Sequence, residues 1–365
     1  MDDRNYTRTA MNGDLRKNSA CQVIIRCENS NEGECSLILA AITTHKRPPE
    51  MVERALKSVI AQTYTDWNLV VVDDSPADWE LRDDVRKMVE GYAENDSRIR
   101  YVAHDRNYGA QRARNTALGI AVKEGFEFIG YLDDDDEWLP EKLEKQLARL
   151  QECDEDTALA YCFYYQVNDD KGTVFFNYGW SALAPEGEVF DKLMLGDFVA
   201  SIFPLIRVKC LDAVGGFDEE MPANQDYEMW LRIAEHYKFV CVPEPLAKLH
   251  RYDGEHIWAN MNRPIKGHER IISKNRAYFE THKNAYCETL RRLMWMYMKN
   301  GEIKQSFKTW FKIMSLQPSK ILTSIWWFIS MFTVTPFREW LMMEHPKMYY
   351  ILRNMKHKLK GEKKS

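Results

Sequence analysis

From Ser36 to Tyr165 the sequence alternates between short apolar runs and segments whose apolar residues recur at helical spacing. The first run, SLILAAIT from Ser36 to Thr43, has no polar alternation. Pro49 then opens a stretch in which Met51, Val52, Ala55, Leu56, Val59 and Ile60 share one helical side. The same pairing recurs. Strands are expected over 68–72, 99–103, 126–132 and 158–165, and helices over 79–92, 111–122 and 140–151. A strand without alternation is buried on both faces, and the intervening helices supply the cover. The pattern therefore predicts an α/β fold, a Rossmann-like, mostly parallel sheet flanked by helices.

In such sheets ligands bind beyond the carboxyl ends of the strands. Acidic residues cluster there: VVVDDS ends one expected strand at Asp73 and Asp74, and GYLDDDDEWLPEKL ends another with Asp133, Asp134, Asp135 and Asp136. No G-x-G-x-x-G follows the first strand, so the dinucleotide fingerprint is missing. Asp133 and Asp135 are two apart, and in an extended strand end both would point the same way. Two converging carboxylates make a site for Mg²⁺ or Mn²⁺, completed by water and phosphate oxygens. The alternative is a solvated acidic loop in which Asp136 or Glu137 caps the helix after Pro140. The apolar FIGYL before the run, and the second acidic pair on a neighbouring strand, favour the cation.

The later half changes character. Short strand-like runs and loops fill 172–245 around one helix, expected over Gln225 to His236, and from about Asn260 the pattern is helical. Asp226 opens the 225–236 helix, as a cap or as a general base. Gly215 and Gly216 suit a tight turn. His250, Arg251 and His256 follow a strand-like run and are either structural or partners of a metal and phosphate.

A net charge of -5 gives no global attraction to nucleic acid. The eight cysteines form no C-x-x-C pair, which predicts reduced thiols and a cytoplasmic protein. Residues 1–35 lack the basic, apolar and small-residue pattern of a secretory signal and are expected to be poorly ordered. The apolar stretch Ile321 to Phe337 is too short to span a bilayer. Trp326, Trp327 and Phe328, with the basic tail MKHKLKGEKKS, suit either an interfacial membrane anchor or the core of a helical region.

Four ordered blocks between Ser36 and Ile257 carry a resemblance: the opening from LILAAITTHKRPPE to VVVDDSPAD, then NYGAQRARNTALG, then the acidic run with its W-x-P sequel, then VGGFDE with NQDYEMWLR. Together they resemble the family 2 glycosyltransferases of the GT-A fold. The resemblance implies an inverting enzyme that moves a sugar from a nucleotide-sugar, UDP-linked in expectation, to an acceptor hydroxyl with Mn²⁺ or Mg²⁺. It implies donor contacts from Thr43, Arg47, Asp74, Arg114, Asn115, Asp133 and Asp134, with Thr43 and Asp74 at the base. It further implies metal ligation by Asp135 with Asp133, and a catalytic base at Asp226.

Thr43 stands where many members have proline, Lys46 where they have asparagine, and Gln225 where they have glutamate; the first two bear on donor preference. The expected organisation is a poorly ordered 1–35, a transfer domain over 36–260 and a helical, membrane-associating 261–365. The expected acceptor is a saccharide or lipid-linked saccharide of surface polysaccharide assembly, met at the inner face of the cytoplasmic membrane through 321–365; no nucleic acid partner is expected. Two other readings stay open at this point: a Mg²⁺-dependent phosphotransfer or phosphatase-like protein built on VVVDDS, and a nonenzymatic protein held at a membrane by its tail.

Overall fold

The strand β1, Ile38–Thr44, is buried at every position and pairs in parallel with β2, Trp67–Asp73, on one side and β4, Phe128–Asp133, on the other. The strand β3, Ile99–Ala103, adds in parallel outside β2. The computed structural model describes residues 38–177, 184–199, 203–251 and 261–320. The expectations for 1–35, His256 and 321–365, including Trp326 to Phe328, lie outside these residues.

Successive residues of β1 enter opposite cores, as the pleat requires. Ile38, Ala40 and Ile42 pack with Val52, Leu56 and Val59 of α1, Pro49–Ile60, and with Val85 and Val89 of α2, Arg82–Ala93. Leu39 and Ala41 pack with Ala113, Ala117 and Ala121 of α3, Ala110–Glu124. The small residues of α3 let it lie close to the sheet. Register then places Thr43 level with both Val72 and Asp133, so three strands end together at one crevice.

Beyond β4 the sheet becomes mixed. Its order is β3-β2-β1-β4-β8-β6-β9-β5, with β7 beside β6. The added strands are β5, Glu137–Trp138; β6, Thr157–Asn168; β7, Thr173–Asn177; β8, Leu205–Arg207; and β9, Lys238–Arg251. β8 runs antiparallel to both β4 and β6, whereas β6 and β9 are parallel. The expected parallel character thus holds for the first four strands. A three-residue strand such as β8 is too short to show a period.

The helix α4, Lys142–Gln151, follows β5 and fills the α1 side with Leu143, Leu147 and Leu150. Its Lys142 is fully buried, donates to Gln146 at 2.7 Å and lies over the Trp138 ring, and burial pushes its pKa down to about 8. The α3 side receives α5, Phe190–Leu195; α6, Val208–Ala213; and α7, Gln225–Ala234. It is closed by α8, Asn262–Lys274; α9, Arg276–Thr281; and α10, Lys283–Lys299, through Ile271, Phe279 and Ala285. The last helix described, α11, Ile303–Leu316, packs on α10 around Cys287, Leu290, Met294 and Ile313.

Candidate active site

Adjacent carboxylates repel, and the chain meets this by giving every aspartate of the acidic run at least one hydrogen-bond donor. Asp133 ends β4 and accepts from Arg114 Nη2 at 2.8 Å. Asp134 accepts from Arg47 Nε at 3.0 Å and from the His45 amide at 3.2 Å, while Asp135 accepts from Arg47 Nη2 at 2.6 Å. Asp136 accepts from the His250 amide at 2.9 Å. Arg54 reaches the Asp135 carbonyl at 2.6 Å. Three of the four lie above the usual carboxylate range. Burial drives Asp134 to about 7, with Asp135 adding to it; burial and then Asp133 raise Asp135; burial raises Asp136 further.

This arrangement corrects two expectations. The chain turns after Asp133, closed by the Asp136 amide on the Asp133 carbonyl at 3.1 Å, so Asp133 and Asp135 do not alternate along a strand. They are nevertheless the exposed pair, with side chains 31% and 23% accessible against 8% for Asp134. Asp136 does not cap a helix: α4 begins only at Lys142, and Asp136 instead ties the end of β9 to the acidic loop. His250 completes that tie, its Nε2 2.7 Å from Glu137 and its Nδ1 2.9 Å from Asp169. Its hydrogen bond holds Glu137 down to about 2. Arg251 contributes its carbonyl to the Asp169 amide at 3.1 Å.

Asp74 follows β2 and is buried. Its carboxylate accepts from the amides of Tyr108 and Gly109 at 2.9 and 2.7 Å and contacts His104 Nδ1 at 2.7 Å. It therefore shapes the loop between β3 and α3. Asp73, also buried, accepts from the Ser75 amide and the Tyr101 hydroxyl at 2.8 and 2.6 Å. Neither carboxylate is placed as a phosphoaspartate would be, since such a group must stand open to its phosphate donor. Thr43 is buried at the end of β1, level with Asp133.

Arg114, expected at the donor from the resemblance, reaches the acidic run from α3. Its guanidinium is buried, one nitrogen bonds Asp133, and its Nε and Nη1 have no hydrogen-bond partner among the described residues. Unsatisfied donors on a buried cation are costly, and an anion would satisfy them. Asn115 points elsewhere. Its amide nitrogen donates to the Phe217 carbonyl at 2.9 Å, and its oxygen accepts from the Phe217 amide at 2.8 Å. A Cβ on Gly216, where φ is +68°, would sit 2.7 Å from that oxygen, so this turn requires glycine. Asn115 locks the loop before α7 and does not face the crevice as the resemblance implies.

That loop delivers Asp226 to the first turn of α7, half-buried and accepting from the Tyr227 amide at 2.8 Å. The cap position belongs to Asn224, in the left-handed region at φ 57°, which removes the capping role from Asp226. Burial holds Asp226 above the usual carboxylate range; Arg114 opposes the shift and Asp133 adds to it, which puts all three in one electrostatic environment.

Two residues that sequence patterns did not flag share the electrostatic surroundings of Asp226. Asp197, after α5, is raised well above its usual range, first by burial and then by Asp226, while Arg292 of α10 opposes the shift. Arg292 Nη2 lies 3.2 Å from where a Cβ on Gly196 would be. Nothing in a mid-helix arginine or an L-G-D-F loop marks either in the sequence. Among the described residues no group of three metal-ligating side chains converges. Asp133 and Asp135 supply two hard oxygen donors whose mutual repulsion a divalent cation would relieve, which suits Mg²⁺ or Mn²⁺ with water and phosphate oxygens as further ligands.

Comparison with known proteins fits this geometry. Among solved structures, the mannosyltransferase PcManGT from Pyrobaculum calidifontis, in complex with GDP-Man and Mn²⁺, superposes with a TM-score of 0.55 at 17% identity, covering 87% of this chain and 86% of that one. S. aureus TarS superposes with a TM-score of 0.51 at 17% identity over 70% of this chain and 43% of its own length. The fold is that of the GT-A glycosyltransferases. The model of Glycosyl transferase family 2 matches residues 40–213. A putative colanic acid biosynthesis glycosyl transferase of Escherichia coli, WcaA, is 30% identical over 276 residues, 73% of this chain and 88% of its own. The Escherichia coli UDP-Glc:alpha-D-GlcNAc-diphosphoundecaprenol beta-1,3-glucosyltransferase WfgD is 29% identical over 182 residues, 50% of this chain and 64% of its own. The chain belongs to the family 2 glycosyltransferases and is a glycosyltransferase.

Proposed function

We propose that this enzyme is metal-dependent and inverting, and that it moves a sugar from a UDP-linked donor to a hydroxyl of a saccharide or lipid-linked saccharide in surface polysaccharide assembly. The observation that carries the reading is the meeting of Arg114, Asp133 and Asp226 from three separate elements. They set a cation with unsatisfied donors beside a strand-end carboxylate and a second carboxylate, which are the parts an in-line displacement needs. The named relatives support the acceptor class: one is named for colanic acid biosynthesis, another for transfer to a diphosphoundecaprenol-linked sugar.

Thr43 and Asp74 line the base end of the crevice, Asp74 through the loop it shapes, while Arg47, Asp133 and Asp134 border the ribose and diphosphate. Arg114 directs its two remaining donors at the diphosphate, a charge-assisted contact. A Mn²⁺ or Mg²⁺ on Asp135 and Asp133 supplies Lewis-acid neutralisation of the departing diphosphate. Asp226 takes the proton of the acceptor hydroxyl, a step worth about 10² to 10⁴ in rate. Asp197 and Arg292 border the acceptor beyond it. Residues 36–260 form the transfer domain, and 261–365 brings it to the inner face of the cytoplasmic membrane.

The test is Asp226→Asn. Donor and Mn²⁺ binding, measured by calorimetry, stay near wild type while transfer falls by about 10² or more. Normal transfer by that variant would remove Asp226 as the base.

A further inference from the structure

The helix α8 turns one face toward the segment that delivers Asp226, and three successive residues of that segment are met from it. Arg263 Nε donates to the Pro222 carbonyl at 3.0 Å, Gly267 lies against the Ala223 carbonyl, and His268 Nδ1 is 2.8 Å from Asn224 Nδ2. Residues 263 and 267 are four apart, so they stand one above the other on the helix. The same face continues to Arg270 and Lys274, which pair with Asp218 earlier in the loop at 3.0 and 2.7 Å.

Glycine inside a helix costs stability relative to alanine, and Gly267 has no positive φ that would require it. Closeness explains it instead. A Cβ here would stand 2.5 Å from the Ala223 carbonyl oxygen and 2.9 Å from Asn224 Nδ2, nearer than side chains approach. His268 is buried, and burial, then Arg292, lower its pKa to about 4, so its ring is neutral near pH 7. Its contact with Asn224 is shorter than the 3.3 Å to the Pro264 carbonyl and makes Nδ1 the acceptor. Asn224 is the cap of α7 at φ 57°, a left-handed conformation that its surroundings must hold, and Asp226 follows two residues on.

We propose that α8 braces the catalytic base: Arg263, Gly267 and His268 fix residues 222–224 and so hold Asp226 in place for the acceptor proton. The three are positioning residues. Because α8 follows residue 260, the helical region beyond the transfer domain completes its active site. The proposal rests on Asp226 as the base. A reacting group displaced by about 1 Å can lose about 10² in rate, and the carboxylates proposed for the donor stand on other elements, so a loosened brace lowers kcat and spares donor binding.

The experiment uses the full chain and its variants His268→Leu, His268→Asn and Gly267→Ala. Leu has no acceptor, whereas Asn sets an amide where Nδ1 stood. Release of UDP is measured with Mn²⁺ from UDP-glucose, UDP-galactose, UDP-N-acetylglucosamine and UDP-glucuronate, with water as the acceptor. Water attacks the anomeric carbon, the bond to UDP breaks, and Asp226 takes the water's proton. On the donor that wild type uses fastest, His268→Leu and Gly267→Ala should each lose about tenfold or more in kcat, with KM and UDP affinity changed by less than about twofold. His268→Asn should regain most of that loss. Amide hydrogen exchange over 222–228 should quicken in the first two variants and stay near wild type in the Asn variant. Asp226→Asn separates the two claims. If it loses kcat while His268→Leu and Gly267→Ala keep theirs, the base stands and the brace is overturned. If it keeps wild-type kcat, or if wild type releases UDP from none of the four, the reading of the site fails and takes the brace with it. Equal losses of kcat and UDP affinity, or no recovery with Asn, also overturn the brace, because general destabilisation produces them. Should His268→Leu fail to fold, Gly267→Ala decides on the same split.

Discussion

The two sides of the crevice are built in different ways. On the side proposed for the donor, three parallel strands end level, and the side chains at or just beyond their ends are held by residues that follow neighbouring strands: Asp74 by the loop after β3, Asp134 and Asp135 by Arg47 after β1. On the side proposed for the acceptor, Asp226, Asp197 and Arg292 come from a helix start, a loop and a distant helix. A strand-end site inherits rigidity from its sheet, whereas a site made of helix ends depends on the contacts that hold those helices together.

That contrast can be broken by substitution. The largest effect is expected at Asp226, where the Asn variant loses about 10² or more in transfer but keeps its donor affinity; equal losses of both would merge the two sides. Wild-type transfer should also decline in acid through a pKa above the ordinary aspartate value of 3.8, since burial disfavours the carboxylate that must accept the proton. A pH–rate profile of kcat checks this.

Next comes Arg114→Met. It removes the buried guanidinium from the donor side and should weaken donor binding by about tenfold to a hundredfold in calorimetry, with little change in fold. Unchanged affinity would place the diphosphate elsewhere.

Gly216→Ala tests the acceptor side through its scaffold. The φ of +68° and the 2.7 Å approach to Asn115 predict a loss of about 3 kcal/mol in denaturant unfolding, with transfer falling more than donor binding as Asp226 shifts.

The smallest expected effect is at His268 of α8, which lies buried beside Asn224 at 2.8 Å. Burial, and then Arg292, lower its pKa to about 4 from 6.5. The unfolded chain binds a proton here that the folded protein refuses, so this contribution to stability is complete above pH 6.5 and is lost as pH falls toward 4. At pH 5 the loss is about 2 kcal/mol. His268→Asn should flatten the pH dependence of Tm over that window.

The position of the strand-end carboxylates was largely legible in the sequence, because they sit at the ends of uninterrupted apolar runs and a strand end is a local event. The four-aspartate run shows where local reading fails. An extended strand would have alternated its side chains, but a turn follows Asp133, and Asp136 became a tie to β9 through the His250 amide. Asn115 likewise sits next to Arg114 in sequence yet meets a different part of the fold, because neighbouring residues on a helix point about 100° apart. Asp197 and Arg292 carry no pattern at all.

The apolar periodicity by itself determined the α/β fold, the layering of helices on a sheet and the placing of carboxylates at its ligand-binding edge, since burial of alternating faces depends on residue type and spacing alone. Only the tertiary structure decided which of four aspartates stay open, that Arg114 keeps two donors unsatisfied, and that Asp197 lies within electrostatic reach of both Asp226 and Arg292. Those outcomes depend on distances between residues far apart in the chain, and such distances are set by packing.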